Sequence, residues 1–121
     1  MAAAGTLATD AQILLAIGAG ADAAQVLGTN TDIWILMAES DMEKEAGSGV
    51  GLVANYASIT ASYKQWLALV ASHRAAFYAI NYNPNSWSLA TAQSKLNVID
   101  TIWQEFKKQI KDKDVIDDMG L

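Results

Sequence analysis

The feature that most constrains the fold of this chain is a long apolar stripe between residues 52 and 80. Its members recur at alternating spacings of four and three residues, which places them on one face of a helix. They are Leu52, Tyr56, Ile59, Tyr63, Trp66, Val70, His73, Phe77 and Ile80. Leu67, Leu69 and Tyr78 lie off this stripe, so the helix is apolar on most sides. Such a helix has to be covered on most sides, and we expect neighbouring copies of the chain to supply part of the cover.

A second apolar stripe follows the turn sequence NPNS at residues 83–86. Its members alternate by three and four positions and are Leu89, Ala92, Leu96, Ile99, Trp103, Phe106 and Ile110. Two long stripes joined by a short proline turn predict an antiparallel helical hairpin. Within the first stripe, His73 is interpreted as a hydrogen-bonded core residue. Its neighbour Arg74 is expected to pair with a carboxylate of this chain or of another copy.

The chain is predicted to form one all-α domain over residues 1–121, a small bundle of about four helices with extended termini. The predicted helices span roughly residues 10–17, 31–45, 50–81 and 88–111, with a brief break near 57–60. Thr9 or Asp10 is placed to cap the first helix, and Asn30 or Thr31 the second. The alternation of apolar and polar residues that is typical of strands is absent from the sequence.

The two ends of the chain are predicted to have no order of their own. Residues 1–8 are mostly small and apolar and are interpreted as an N-terminal arm that nothing fixes in place. The C-terminal tail, residues 112–121, contains four aspartates and four apolar residues, Val115, Ile116, Met119 and Leu121. A short terminal peptide of this kind is loose in water, so we expect a preformed partner surface to order the tail.

Composition excludes several classes of protein. The net charge of −5 argues against a nucleic-acid groove, which is normally basic, and the hydrophobic fraction of 52% argues against intrinsic disorder. No segment reaches the roughly 20 apolar residues of a membrane span, and no secretory signal is visible. The absence of cysteine removes disulfide frameworks and thiolate metal sites.

Charge is distributed unevenly along the chain. Residues 1–63 contain seven acids and one base, residues 64–111 two acids and six bases, and residues 112–121 four acids and one base. This segregation suits head-to-tail packing of identical subunits, although solvated helix faces are the simpler explanation.

Residues that could carry chemistry are few. The carboxylate pairs Glu39/Glu43 and Asp41/Glu45 are each four residues apart on the second helix, but no histidine joins them. A solvated acidic face is therefore preferred to a metal site. The glycine-rich turns lack the preceding strand and the following Lys-Ser/Thr of a phosphate loop, and one histidine in an apolar stripe cannot build a nucleophilic triad. The sequence predicts a protein that is not an enzyme and holds no cofactor or metal.

From residue 31 to 113, the order of helices and short phrases resembles the small helical head–tail adaptor (connector or neck) proteins of tailed bacteriophages. The phrases are TDI at 31–33, AES at 38–40, NYASI at 55–59, AINY at 79–82, KKQI at 107–110 and KDK at 111–113. The resemblance implies an all-α structural subunit of the virion, located at the head–tail interface and made in the host cytoplasm.

The resemblance also implies partners. Copies of such proteins form a ring, commonly about twelve-fold, which docks beneath the portal protein, extends the DNA channel and receives tail or neck proteins. Neither a sequence-specific nucleic acid nor a membrane is implied. Because the subunits dock through helices and terminal extensions, the candidate subunit and partner contacts are Trp34, Met37, Leu67, Arg74, Tyr78, Val115, Ile116, Met119 and Leu121.

Two other classes of function stay open. One is a helical adaptor or secretion-type interaction protein, although none of the four tryptophans forms the Trp-x-Gly turn of the small secreted hairpins. The other is a helical bundle that binds a small apolar ligand around Trp66, His73 and Trp103. The oligomeric state separates these alternatives, because only the connector requires a ring.

Overall fold

The computed structural model describes residues 5–17, 28–47, 49–82 and 89–121 of the chain. Five α-helices lie within these ranges: α1 Asp10–Ile17, α2 Gly28–Ala46, α3 Ala61–Tyr82, α4 Leu89–Ile110 and α5 Lys113–Asp118. A short 3₁₀ turn, Tyr56–Ser58, precedes α3. These ranges contain no β-strand, which confirms the predicted all-α class.

The first two helices differ in how they begin. α1 starts where predicted, because Thr9 and Gln12 form a reciprocal capping box. The Gln12 amide donates to the Thr9 hydroxyl at 3.3 Å, and the Thr9 amide donates to the Gln12 side-chain oxygen at 2.9 Å. α2 starts at Gly28, earlier than predicted. Asn30 and Thr31 therefore lie inside the helix instead of capping it, and their side chains fall outside the described residues.

α3 begins at Ala61, directly after the predicted break near residues 57–60, but the α-helix predicted for residues 50–56 is not formed. The preceding backbone is bent, because Gly49 and Gly51 have φ angles of 93° and 64°, in the left-handed region that does not continue an α-helix. Leu52 and Ile59 are nevertheless buried. The first apolar stripe is therefore continuous in the sequence but is built from two pieces, a compact turn and a helix.

α3 is the central element of the fold and packs against α1, α2 and α4. Leu67, which lies off the predicted stripe, is fully buried. Five alanines of α3 are buried with it: Ala68, Ala71, Ala75, Ala76 and Ala79. Small side chains let neighbouring helices approach closely, so three helices of one chain fit around α3. One chain therefore covers most of α3 by itself, although Leu69 stays 46% exposed. That neighbouring copies supply part of the cover stays a prediction.

α3 and α4 form the predicted antiparallel hairpin. The rings of Trp66 and Phe106 lie 5.5 Å apart, and the Arg74 guanidinium lies 4.4 Å above the Trp103 ring. The contacting residue numbers rise along α3 while they fall along α4, as they do in antiparallel helices. The second apolar stripe faces the core, since its buried members are Ile99, Trp103, Phe106 and Ile110.

The N-terminal segment is held by the core of its own chain. Leu7 and Ala8 are 1% and 4% exposed, so residues 5–8 do not form the predicted free arm. The sequence alone did not indicate this contact, because the Glu39 carboxylate that holds the segment belongs to α2, more than 30 residues further along the chain. The predicted arm also includes residues 1–4, which lie outside the described part.

The C-terminal tail is likewise packed on its own chain. It forms α5, which Asp112 caps by accepting the Asp114 amide at 2.9 Å. Met119 is completely buried, and its carbonyl accepts the Thr60 amide at 3.0 Å. The expectation that only a partner orders the tail is therefore wrong, because the segment that leads into α3 supplies the docking surface.

Candidate functional site

The acidic residues of α2 bind groups of their own chain. The Glu39 carboxylate is 5% exposed and accepts the backbone amides of Thr6 and Leu7, both at 2.6 Å. The Glu43 carboxylate accepts two backbone amides of the turn before α3, at 2.5 and 3.3 Å. Hydrogen bonds to ionised acceptors are among the stronger ones in proteins. The predicted solvated acidic face is therefore wrong, because these carboxylates fasten two distant segments to α2.

Asp41, Arg74 and Tyr78 form a polar cluster between α2 and α3. Arg74 Nε donates to Asp41 Oδ2 at 2.9 Å, and the Tyr78 hydroxyl donates to the same oxygen. The guanidinium also lies over the rings of Trp103 and Phe77, at 4.4 and 4.7 Å. Burial raises the pKa of Tyr78 above its ordinary value, and the hydrogen bond and negative charge of Asp41 raise it further. The expected carboxylate partner of Arg74 thus comes from its own chain.

The predicted contact residues do not gather in one place. Three of them are buried in the core: Trp34, Leu67 and Met119. Three are half-buried against it in the tail: Val115, Ile116 and Leu121. Arg74 and Tyr78 join α2 to the α3–α4 hairpin through Asp41. Met37, at 39% exposure, lies on the surface.

An open apolar groove lies between α1, α3 and α4. It consists of two adjoining cavities of about 440 and 270 Å³, and His73 lines both. Leu15, Leu69 and Val98 line it as well and are 81%, 46% and 56% exposed. Lys95 contributes a positive charge, and none of the described lining residues is a carboxylate. We refer to this feature as the groove.

His73 lies in the wall of the groove and is hydrogen-bonded, as the sequence predicted. It is not the core residue that was also predicted, because the groove leaves its ring partly exposed. Its Nδ1 donates to the Leu69 carbonyl at 2.8 Å, because a carbonyl oxygen can only accept. A neutral ring then presents Nε2 as an acceptor. Trp66 and Trp103 both pack against Phe106, with ring centroids at 5.5 and 5.3 Å, and do not line the groove. The predicted ligand site that combines His73 with the two tryptophans is therefore not formed.

α2 carries a second exposed apolar surface. Ile33, Leu36 and Met37 are 50%, 49% and 39% exposed, and their spacing places them on one face of the helix. We refer to these three residues as the ridge. The buried residues of α2 lie on its opposite face and are Trp34, Ile35, Ala38 and Met42.

Of the exposed apolar residues in the groove and the ridge, only Met37 was among the contact residues predicted from the sequence. A signal for the ridge was present, since residues 33–38 are six consecutive apolar residues. Six consecutive apolar residues place apolar side chains on every side of a helix, and a helix at the outside of a bundle cannot bury all of them. No comparable signal marks Val98, whose exposure depends on where α1 lies relative to α4.

The described residues show none of several recognisable sites. Within them, histidine and carboxylate side chains nowhere form a group of three that could hold a metal ion. None of the described helices combines the length and hydropathy needed to cross a bilayer. No protein-family model, curated protein or solved structure matches the chain. The groove and the ridge are therefore the features on which a function can be argued.

Proposed function

We propose that this protein is a structural subunit of a phage head–tail connector ring, which docks beneath the portal and joins the capsid to the tail around the DNA channel. The proposal starts from the order of helices and phrases over residues 31–113. The all-α fold agrees with it. Three carboxylates of α2, those of Glu39, Asp41 and Glu43, join distant segments of the chain, which suits a structural subunit.

The observation that carries the proposal is the placement of exposed apolar side chains. All six large apolar residues that are exposed in the described part belong either to the groove or to the ridge. Grouped exposed apolar residues mark interaction surfaces in soluble proteins. Two different surfaces on one subunit allow head-to-tail assembly, from which closed rings are built.

Charge contributes less to the proposal than the sequence suggested. The acidic α2 and the basic hairpin are joined inside one chain, by Asp41 with Arg74 and by Glu45 with Lys111 at 3.7 Å. Two of the oppositely charged residues that the sequence segregates therefore pair within the subunit at each of these two contacts. The segregation is not needed to explain contacts between subunits.

Co-purification with a portal protein tests this function. A tagged chain is co-expressed with the portal protein encoded in the same genome, and the complex is imaged by electron microscopy. We expect a ring of this chain coaxial with the portal. The matched control is the double variant Leu36→Glu/Leu69→Glu. Both substitutions are at exposed positions, so the variant should fold but should not form a ring with the portal. A genome without a portal gene, or a full chain that binds no portal, capsid or tail component, would rule out the connector.

A second candidate function is the binding of a small apolar ligand in the groove. The observation that favours it is the volume of the larger cavity, about 440 Å³, which is in the range of roughly 300–1,000 Å³ for ligand sites. The Nε2 atom of His73 would orient a polar end of the ligand by accepting a hydrogen bond from it. Native mass spectrometry of protein purified from its host tests this function, because a carried ligand adds a discrete mass that Leu69→Glu should remove.

A further inference from the structure

We propose that the groove binds a single-chain amphiphile with an anionic head, of the class of the medium-chain carboxylates. The carboxylate meets Lys95 in the smaller cavity, and the hydrocarbon chain lies in the larger one. The assignment of this ligand class rests on the second candidate function, the binding of a small apolar ligand in the groove. The ridge takes no part in it.

The larger cavity provides the apolar half of the site. Its apolar walls include Leu15 and Ala16 of α1 and Leu69 of α3. Leu15 and Leu69 are 81% and 46% exposed, so a hydrocarbon chain that covers them removes apolar surface from water. The cavity extends along α3 from Gln65 to His73, which is about 12 Å at 1.5 Å per helical residue. This length suits an extended chain such as that of decanoate.

The smaller cavity provides a positive charge for the head. Lys95 of α4 lines it beside the apolar residues Val98 and Ile99. Lys95 is half-buried and makes no hydrogen bond or ion pair with any residue in the described part of the chain. None of the described residues that line the two cavities is an acid. A cation at the edge of an apolar cavity attracts an anionic group, and this one has no counter-charge among its described neighbours.

The other polar groups of the smaller cavity leave the charge of the head to Lys95. His73 donates through Nδ1 to the Leu69 carbonyl, so Nε2 of its neutral ring is an acceptor and does not bind a carboxylate. The Ser94 hydroxyl lines the same cavity and can donate to one. Lys95 therefore supplies the charge that recognises the head, and Ser94 is a neighbouring donor.

A lysine at the far end of the larger cavity is less suited to hold the head. A third cavity of about 180 Å³ shares Gln12 and Gln65 with the larger one, and Lys64 lines it. The Lys64 ammonium lies 4.8 Å above the Tyr56 ring, a contact that already stabilises its charge. The head therefore lies at Lys95, and the chain extends toward Gln65.

Titration of the full chain with decanoate, decanol and decyltrimethylammonium, below the concentrations at which they form micelles, tests the site. Calorimetry gives each Kd, and amide NMR shifts locate the bound probe. Lys95→Gln removes the charge, and Lys108→Gln, at an exposed position of α4 outside the groove, is its matched control. Leu69→Ser shortens the apolar wall, and Leu36→Ser on the ridge, where the leucine is 49% exposed, is its control.

We expect one decanoate to bind per chain, with amide shifts confined to the parts of α1, α3 and α4 that line the groove. Decanol should bind more weakly, and the cationic probe most weakly. Lys95→Gln should weaken decanoate binding by about threefold to fivefold, the worth of a partly exposed ion pair, and leave decanol binding unchanged. Leu69→Ser should weaken the binding of both, and the two control variants should bind like the natural chain.

Decanol that binds as tightly as decanoate, or decanoate that binds Lys95→Gln as tightly as the natural chain, would contradict the anionic class and keep the small apolar ligand function. If neither probe binds, both fall. Shifts at the groove that depend on the concentration of the protein alone would assign the groove to a second copy and reject the amphiphile. The assay contains no portal, so the connector is tested separately.

Discussion

Among single residues, Glu39 is predicted to stabilise the fold, because its buried carboxylate accepts two amides of the N-terminal segment. Glu39→Ala leaves both amides without this acceptor. We expect it to lower the free energy of unfolding by about 1.5–3 kcal/mol, the usual worth of hydrogen bonds to a charged group. Chemical denaturation measures the change, and hydrogen exchange should show faster exchange at Thr6 and Leu7. Glu105→Ala, at an exposed position of α4, is the control and should leave both readouts unchanged.

Tyr78 is predicted to make stability depend on alkaline pH. Its raised pKa means that the folded state favours the neutral phenol, which donates to Asp41. This contribution is fully present below the unfolded pKa of about 10 and is lost as the pH rises through the higher folded pKa. Tyr78→Phe should therefore be less stable than the natural protein at neutral pH, by about 0.5–1.5 kcal/mol, and the difference should shrink at alkaline pH.

Denaturation of both proteins across the alkaline range tests this effect. Asp41→Asn is a useful companion variant, because it removes the negative charge and should lower the pKa of Tyr78 toward its ordinary value while burial remains. A stability difference between Tyr78→Phe and the natural protein that does not change with pH would contradict the assignment.

Some of these residue roles could be predicted from the sequence, and others could not. That Arg74 pairs with a carboxylate followed from its position in an apolar helix. Which carboxylate it meets did not follow, because Asp41 lies 33 residues away along the chain. The role of Glu39 was hidden for the same reason. Carboxylates four residues apart on a helix have the same spacing whether they face water or hold a distant amide.

At the scale of elements, α5 is predicted to stabilise the fold. Truncation after Lys113 removes α5 together with Met119, which is fully buried, and it removes the acceptor of the Thr60 amide. We expect the truncated chain to lose roughly 2–5 kcal/mol of unfolding free energy, the range for emptying a buried methionine site. Thermal or chemical denaturation measures this loss. A truncated chain as stable as the full one would show that the tail is not part of the core.

Gly120→Ala is a milder test of the same docking. Gly120 has a φ of 95°, and an added Cβ would lie 2.9 Å from the Ser58 carbonyl oxygen. Alanine is strained at positive φ, and the substitution should destabilise by about 1 kcal/mol or more. Gly47→Ala is the matched control, because its φ is similar at 92° but no atom lies near the added Cβ. The difference between the two variants isolates the contact between the tail and the segment before α3.

A helix could be predicted from the sequence wherever a regular apolar stripe extends along its whole length. α4 and the antiparallel hairpin followed from two such stripes. The absence of an α-helix over residues 50–56 did not follow, because Leu52 and Ile59 continue the spacing of the stripe although Gly49 and Gly51 have bent the backbone. α5 was missed because its apolar residues are too few to specify a helix, and the surface that orders them is formed by residues far away along the chain.

For the whole molecule, the sequence predicted a covered apolar helix with the last long helix as one neighbour, but not that α1 and α2 cover it as well. Small side chains of α3 let α1, α2 and α4 of one chain surround it. The surfaces left over are the groove and the ridge. Their exposure depends on how the helices are arranged, and no single-helix pattern encodes that arrangement.

Native mass spectrometry of the full chain, alone and with the portal protein encoded in the same genome, tests the connector most directly. We predict one defined assembly of many copies, formed in solution or on the portal, and its loss in Leu36→Glu/Leu69→Glu. Circular dichroism should show that this variant keeps its helices. A full chain that stays monomeric both alone and with the portal would contradict the proposed connector function.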